Sequence, residues 1–170
     1  MEQIAKTTLS TSSNSVTFSS IPGTYKDLQV YISARGSDTG TTFGDTLRIR
    51  FNSNSSSLYS WNYFFSGNGG VDDAYNFSDT EIDWHYAIPT NGTTSGVFST
   101  TDIYIANYAS SSKRKVLNAS SGFANTTGIY CIYYADAMWN STNAITSITF
   151  FQGASGSFQS GSTFSLFGIK

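Results

Sequence analysis

Charge, cysteine, histidine and proline are all scarce in this chain of 170 residues. Only 12% of residues are charged, about half the share usual in a globular protein. Ser, Thr and Asn fill the gap, which implies a polar and mostly neutral surface. A net charge near −2 sets up no long-range field of the kind that gathers nucleic acid or anionic lipid. Neither is expected as a partner. The basic run Lys113-Arg114-Lys115 follows Ser110-Ser111-Ser112 and reads as a solvated turn. A lone cysteine, Cys131, excludes an intramolecular disulfide and a cysteine-built metal site. Within Ile129-Tyr130-Cys131-Ile132-Tyr133 its ordinary role is a small buried thiol. The opening MEQIAKTTLS has neither a basic n-region nor an apolar h-region, so no secretory signal is expected. No apolar run approaches the ~18 residues of a membrane helix, and no membrane partner is expected. Asn-x-Ser/Thr sequons at Asn54, Asn76, Asn91, Asn118, Asn125 and Asn140 follow from the composition and are not read as glycosylation sites.

What is abundant is alternation. Val16 and Phe18 alternate with Thr17 and Ser19, and Leu28, Val30 and Ile32 with Gln29, Tyr31 and Ser33. Leu47, Ile49 and Phe51 alternate with Arg48, Arg50 and Asn52, one face apolar and the other carrying two guanidiniums. Further strands are expected over 58–65, 81–88, 101–108, 115–119, 128–135 and 145–151, and the closing GSTFSLFGIK reads as a core strand. Strand-like pattern also begins within a few residues of Met1. A period of 3.6 is missing apart from a turn expected near residues 136–139, and helix-favouring residues are few. Residues 66–78, with Gly67, Gly69 and Gly70, read as a long loop, as do residues 88–96 with their Asn91-Gly92 turn signal. The expected fold is all-β: one domain over residues 1–170, a two-sheet antiparallel β-sandwich of jelly-roll type.

Candidate chemistry is thin. The single histidine, His85, sits in Asp83-Trp84-His85-Tyr86 and reads as an outer-face strand residue. There is no GxSxG motif, so no Ser-His-Asp triad is assigned. Asp79, Glu81 and Asp83 alternate and share a face if that piece is extended. Oxygen ligands of this kind suit calcium, and paired carboxylates suit glycoside hydrolysis. Their spacing matches no metal loop, so no metal, cofactor or catalytic residue is assigned; Asp72-Asp73 remains a further acidic spot. The aromatic content is high, at 16%. Trp61, Tyr63 and Phe65 share one face of WNYFF, with Trp84 and Trp139 elsewhere. Exposed aromatics beside Asn and Asp stack on sugar rings or anchor protein interfaces. Trp61, Tyr63, Trp84 and Trp139 are therefore the candidate interface or glycan-stacking residues, although a sandwich core also needs large side chains.

Several segments, in order, carry a resemblance: SVTFSSIPGTYKDLQVYISARG, LRIRFN followed by YSWNYFF, DIYIANYASSSKRK, and AITSITFFQGASGSFQSGSTFSLFGIK. Together they span nearly the whole chain, and the last is the most specific. The chain resembles small virion structural proteins of tailed bacteriophages, marine ones in particular. The resemblance implies a jelly-roll-type domain serving as a head decoration or a fibre component, located in the virion and assembled in the host cytoplasm. It carries no catalytic motif, so the expected role is not enzymatic. Two roles follow. The leading one is a head decoration or cement protein bound to the major capsid protein or other virion proteins, as a symmetric homo-oligomer with a trimer favoured. The economy of a chain consumed by strands supports it. The other is a tail or head fibre module that binds host-surface glycans. A depolymerase-like hydrolase comes a distant third.

Overall fold

Twelve strands make up the fold: β1 (Glu2–Thr8), β2 (Ser15–Phe18), β3 (Asp27–Ser33), β4 (Gly44–Phe51), β5 (Tyr59–Gly67), β6 (Gly70–Asp79), β7 (Ile82–Pro89), β8 (Thr100–Ala106), β9 (Lys115–Ala124), β10 (Tyr130–Trp139), β11 (Ile148–Phe151) and β12 (Thr163–Ile169). They are seen in a computed structural model that describes residues 1–39, 44–67, 70–124, 128, 130–153 and 156–170. Gly69, Asn125 and Ile129, which enter the sequence readings, lie outside the described residues.

The strands form two antiparallel sheets, ordered β1-β12-β3-β8-β9-β10-β5-β6 and β2-β11-β4-β7. The pairings β1–β12, β2–β11, β3–β8 and β4–β7 are those of one long hairpin rolled up, and β12–β3 and β11–β4 close the roll. That is the eight-stranded jelly roll, made of β1, β2, β3, β4, β7, β8, β11 and β12. Two hairpins are inserted into it. β5–β6 lies between β4 and β7 in the chain, and β9–β10 between β8 and β11. Both join the same sheet, next to β8, and double its width.

Alternation explains the core. In β4, Leu47, Ile49 and Phe51 are fully buried while Arg48 and Arg50 face outward. In β12, Phe164 and Leu166 are fully buried between half-buried Thr163, Ser165 and Phe167. Aromatic rings knit the sheets together. Phe164 lies 5.6 Å from Phe150 and 4.9 Å from Phe158, the latter edge to face. Trp139 lies 5.7 Å from Phe51 and stacks on Tyr59. β7, the last strand of the narrower sheet, rests on the inner face of the inserted hairpins: Tyr86 packs on Phe65 at 5.0 Å, and Ser121 Oγ donates to the Ala87 carbonyl at 2.7 Å.

Four sequence expectations need correction. Residues 66–78 are not a long loop, because β6 occupies Gly70–Asp79 and pairs along β5 from Gly67↔Gly70 to Tyr59↔Asp79. The turn expected near residues 136–139 is the end of β10. The strand expected over 145–151 begins only at Ile148. Lys115 does not belong to a solvated turn. It is fully buried, and its Nζ donates to the carbonyls of Ser110, Lys113 and Thr142 at 2.7, 2.6 and 3.2 Å. The loop read over 88–96 starts after Pro89 and is pinned from below by buried Arg35. The Arg35 guanidinium donates to the carbonyls of Asn91, Thr93, Thr94 and Val97.

Candidate functional site

The four aromatics singled out from the sequence are core residues. Trp84 and Trp139 have essentially no exposed surface, and Trp61 and Tyr63 keep only 8% and 5%. The period-two rule that put Trp61, Tyr63 and Phe65 on one face also turned that face toward β7. Their polar atoms are served, where at all, by the interior. Trp61 Nε1 donates to Asp79 Oδ2 at 3.0 Å, while Trp84 Nε1 and Trp139 Nε1 meet no partner among the described residues. Tyr63, Trp84 and Trp139 offer no stacking surface to a ligand, and Trp61 shows only its edge, in the groove beside Tyr75 and Phe77.

The opposite parity of the same strands carries the exposed aromatics. Across β9, β10, β5 and β6 the outward positions line up in register. One row runs Gly122, Ile132, Ser66, Val71, and the next Ser120, Tyr134, Phe64, Asp73. A third runs Asn118, Asp136, Asn62, Tyr75, and the last joins Val116, Met138 and Ser60, whose Oγ donates to the Phe77 carbonyl at 3.1 Å. Phe77 is 75% exposed, Tyr75 65%, and Val71, Tyr134 and Ile132 more than half. Tyr75 and Phe77 rest on each other with ring centroids 5.1 Å apart. Beside them runs a groove of about 510 Å³ lined by Tyr75, Phe77, Met138, Val116, Asn62 and Asp136. Asn118 Nδ2 donates to one oxygen of Asp136. A contiguous exposed apolar surface rimmed by polar groups is the ordinary mark of an interaction site. Nothing in composition separated this face from the inner one; only the strand parity of Ile132-Tyr133-Tyr134 and of WNYFF did.

The acidic residues do not converge. Asp79 accepts from Trp61, from Asn76 and from the Thr80 backbone. Glu81 lies 3.2 Å from Arg48 and also pairs with Arg50, and Asp83 Oδ2 lies 3.0 Å from Arg48. Arginines thus hold the two carboxylates that would otherwise serve an ion or a sugar. Asp72 and Asp73 are successive residues of a strand and face opposite sides of the sheet.

His85 is half-exposed on β7, its ring 6.1 Å from Tyr63 and 6.3 Å from Trp61, and its Nε2 lies 3.5 Å from Asp83 Oδ1. The hydrogen-bonding pull and charge of Asp83 raise the imidazole above its ordinary value, against burial and Arg48. Burial alone would push Asp83 up, but His85 and Arg48 outweigh it and hold the acid below its ordinary value. Burial lifts the Cys131 thiol to about 11, so it is a neutral thiol at physiological pH and no nucleophile. Burial and the charge of Asp72 lift Tyr63 to about 12. Set against protein-family models, curated proteins and solved structures, the chain matches none.

Proposed function

We propose that this chain is a structural, non-enzymatic protein of a bacteriophage particle, a head decoration or cement protein that docks on the capsid lattice through the exposed face of its inserted hairpins. The supporting observation is that face itself: a jelly roll widened by two hairpins whose outward surface carries Ile132, Tyr134, Phe64, Val71, Tyr75 and Phe77. A sheet doubled in width only to leave aromatics in water is costly unless another protein covers them. The neutral, hydroxyl-rich remainder of the surface suits a protein that meets one partner and little else. Quantitative mass spectrometry of purified particles tests the reading by comparing this chain with the major capsid protein. A ratio of the same order supports decoration; a ratio tens of times lower overturns it.

A second reading is a fibre module that binds host-surface glycans, and the groove beside Tyr75 and Phe77 favours it. Two adjacent rings offer a stacking surface, and Asn62 and Asp136 offer hydrogen bonds to hydroxyls. Tyr75→Ala, at an exposed site, separates the roles. Loss of host adsorption with normal particle assembly supports the glycan reading, whereas loss of incorporation with a folded protein supports docking.

A further inference from the structure

β6 closes one side of the wide sheet, and among the described residues no strand pairs with its outer edge. We propose that this edge is a homodimer interface: two copies pair antiparallel along β6 about a two-fold axis at Ala74, which joins their eight-stranded sheets into one. The pairing goes beyond the docking role and does not depend on it.

Among the described residues the two sheets end in the edges of β1, β6, β2 and β7, and β6 is the one whose backbone is open to pairing. β2 is short, β1 is bulged between Gln3 and Ala5 and carries Lys6, and β7 is interrupted at Tyr86, whose φ of 64° is left-handed. Such features blunt an edge against other chains. Over residues 70–76, β6 instead runs in unbroken register with β5, and all of these residues but Ala74 are exposed. In an antiparallel pair, alternate residues turn their N–H and C=O away from the partner strand. The Asp73 N–H donates to Asp72 Oδ1 at 2.9 Å, which puts Asp73 in that outward set together with Val71 and Tyr75. A row of outward main-chain groups is what a further antiparallel strand recognises.

The side chains of β6 make the strand complementary to itself in one register. A strand that meets its own copy must set outward groups against outward groups, so the axis falls on a residue and not between two. An axis at Asp72 or Asp73 would press identical carboxylates together, and one at Asn76 would set Asp73 against Asp79. At Tyr75 the axis would put Asp73 against the ring of Phe77 and Val71 against Asp79. At Ala74 these conflicts vanish: Asp73 faces Tyr75, Asp72 faces Asn76, and Val71 faces Phe77. Val71 and Phe77 are 66% and 75% exposed, and contact between a β-branched side chain and an aromatic ring across strands is favourable. Asn76 Nδ2 uses one hydrogen on Asp79 and keeps the other for Asp72. Once the Asp73 N–H turns to the Tyr75 carbonyl of the second copy, the Asp72 oxygen that held it is free to accept from Asn76. The charges that guard the edge against other chains thus leave this arrangement open. Because one edge meets itself, the association closes at two copies. Its axis stands perpendicular to the sheet, so the faces carrying Tyr75 and Phe77 stay on the same side of the dimer.

The test is analytical ultracentrifugation of the full chain, with disulfide trapping in parallel. A monomer–dimer equilibrium is expected, reaching twice the 18.4 kDa of one chain. Its dissociation constant is expected at about 10⁻⁶–10⁻⁴ M, the weak range suited to a small interface. A chain that stays monomeric up to about 1 mM, tenfold above the weakest expected value, overturns the proposal. So does a trimer or a larger assembly. Ala74→Cys brings two thiols together at the axis, whereas Asp72→Cys, on the same face, leaves them displaced along the strand. With Cys131 buried, oxidation is expected to link Ala74→Cys at least tenfold faster than the more exposed Asp72→Cys. Equal rates, or no link at residue 74, overturn the pairing. Ala74→Lys sets two ammonium groups against each other and is expected to weaken the dimer at least tenfold. Circular dichroism establishes that each variant is folded, and unchanged affinity in folded Ala74→Lys likewise overturns the proposal.

Discussion

Lys115 heads β9 with no exposed surface, and its ammonium ties together three carbonyls from the loops on either side. Burial pulls the ammonium's pKa below its ordinary value, but three donor bonds keep the charged form in place. Lys115→Met keeps the bulk of the stem and strands those carbonyls, so urea unfolding is expected to show a loss of roughly 2–3 kcal/mol. A loss below about 0.5 kcal/mol, the range of an ordinary surface change, would show that water replaces the ammonium. Residue chemistry also sets a pH dependence at Asp83–His85. The raised His85 contributes stability that is complete below the ordinary histidine value of about 6.5 and is lost as pH rises through its folded value. The lowered Asp83 contributes stability present above the ordinary carboxylate value of about 3.9 and lost as pH falls through its folded value. The pair is therefore strongest between about pH 4 and 6.5. As the sole histidine, His85 gives one set of imidazole resonances, and an NMR titration reads it without ambiguity. A midpoint above 6.5 that falls in Asp83→Asn is expected; a midpoint at or below 6.5 in the parent would mean that the pair does not form in solution.

Among the elements, β6 is the unusual one. It ends the wide sheet, every residue from Gly70 to Ser78 except Ala74 is exposed, and it carries neither lysine nor proline. Edge strands of this length are ordinarily guarded against pairing with other chains. Here the guards are the bulge between Tyr59 and Trp61 and the charges of Asp72 and Asp73. If the outer face serves docking, Phe77→Ala should leave stability within about 0.5 kcal/mol yet lower incorporation into particles. Trp139→Ala, in the core, should cost roughly 3–5 kcal/mol. Equal losses of stability at both positions would show that Phe77 is packed rather than presented. The same strand explains what the sequence concealed. A strand with no buried face needs no alternation, so the GVDDAYNFS of β6 carries loop composition and is held in a strand by its pairing with β5. Parity was legible within WNYFF and within Tyr130-Cys131-Ile132, but which parity faced inward depended on where β7 settled. That is a long-range fact, and it moved the candidate surface from Trp61 and Tyr63 to Phe64 and Tyr134. Lys115 was concealed for a related reason: Ser110 and Lys113 are local partners, but the third carbonyl, that of Thr142, comes from a loop that meets it only in the fold.

For the whole molecule, the clean alternation in β4 and the closing strand was enough to read two packed antiparallel sheets, and the rolled hairpin then follows from pairing strands first with last and second with second to last. The inserted hairpins were not legible as insertions, since they alternate like the strands they extend. This topology makes the two ends of the chain unequal, although they pair with each other. β12 lies between β1 and β3, deep in the wide sheet, and contributes fully buried Phe164 and Leu166. β1 is an edge, with only Ile4, Ala5 and Thr7 partly buried and a bulge between Gln3 and Ala5. Removing residues 163–170 takes away two core side chains and the ladder on both flanks, each large truncation costing about 2–5 kcal/mol. Together, about 4–10 kcal/mol before the lost ladders are counted, they consume most of the roughly 5–15 kcal/mol by which a domain of this size is usually stable. Removing residues 2–8 strips an exposed ribbon and leaves β12 as the new edge. Expressed side by side, the chain lacking 163–170 is expected to show no cooperative thermal unfolding. The chain lacking 2–8 should retain a cooperative transition at lower temperature and associate through the bared β12. Equal survival of the two truncations would contradict the order β1-β12-β3, in which β12 is paired on both flanks and β1 on one.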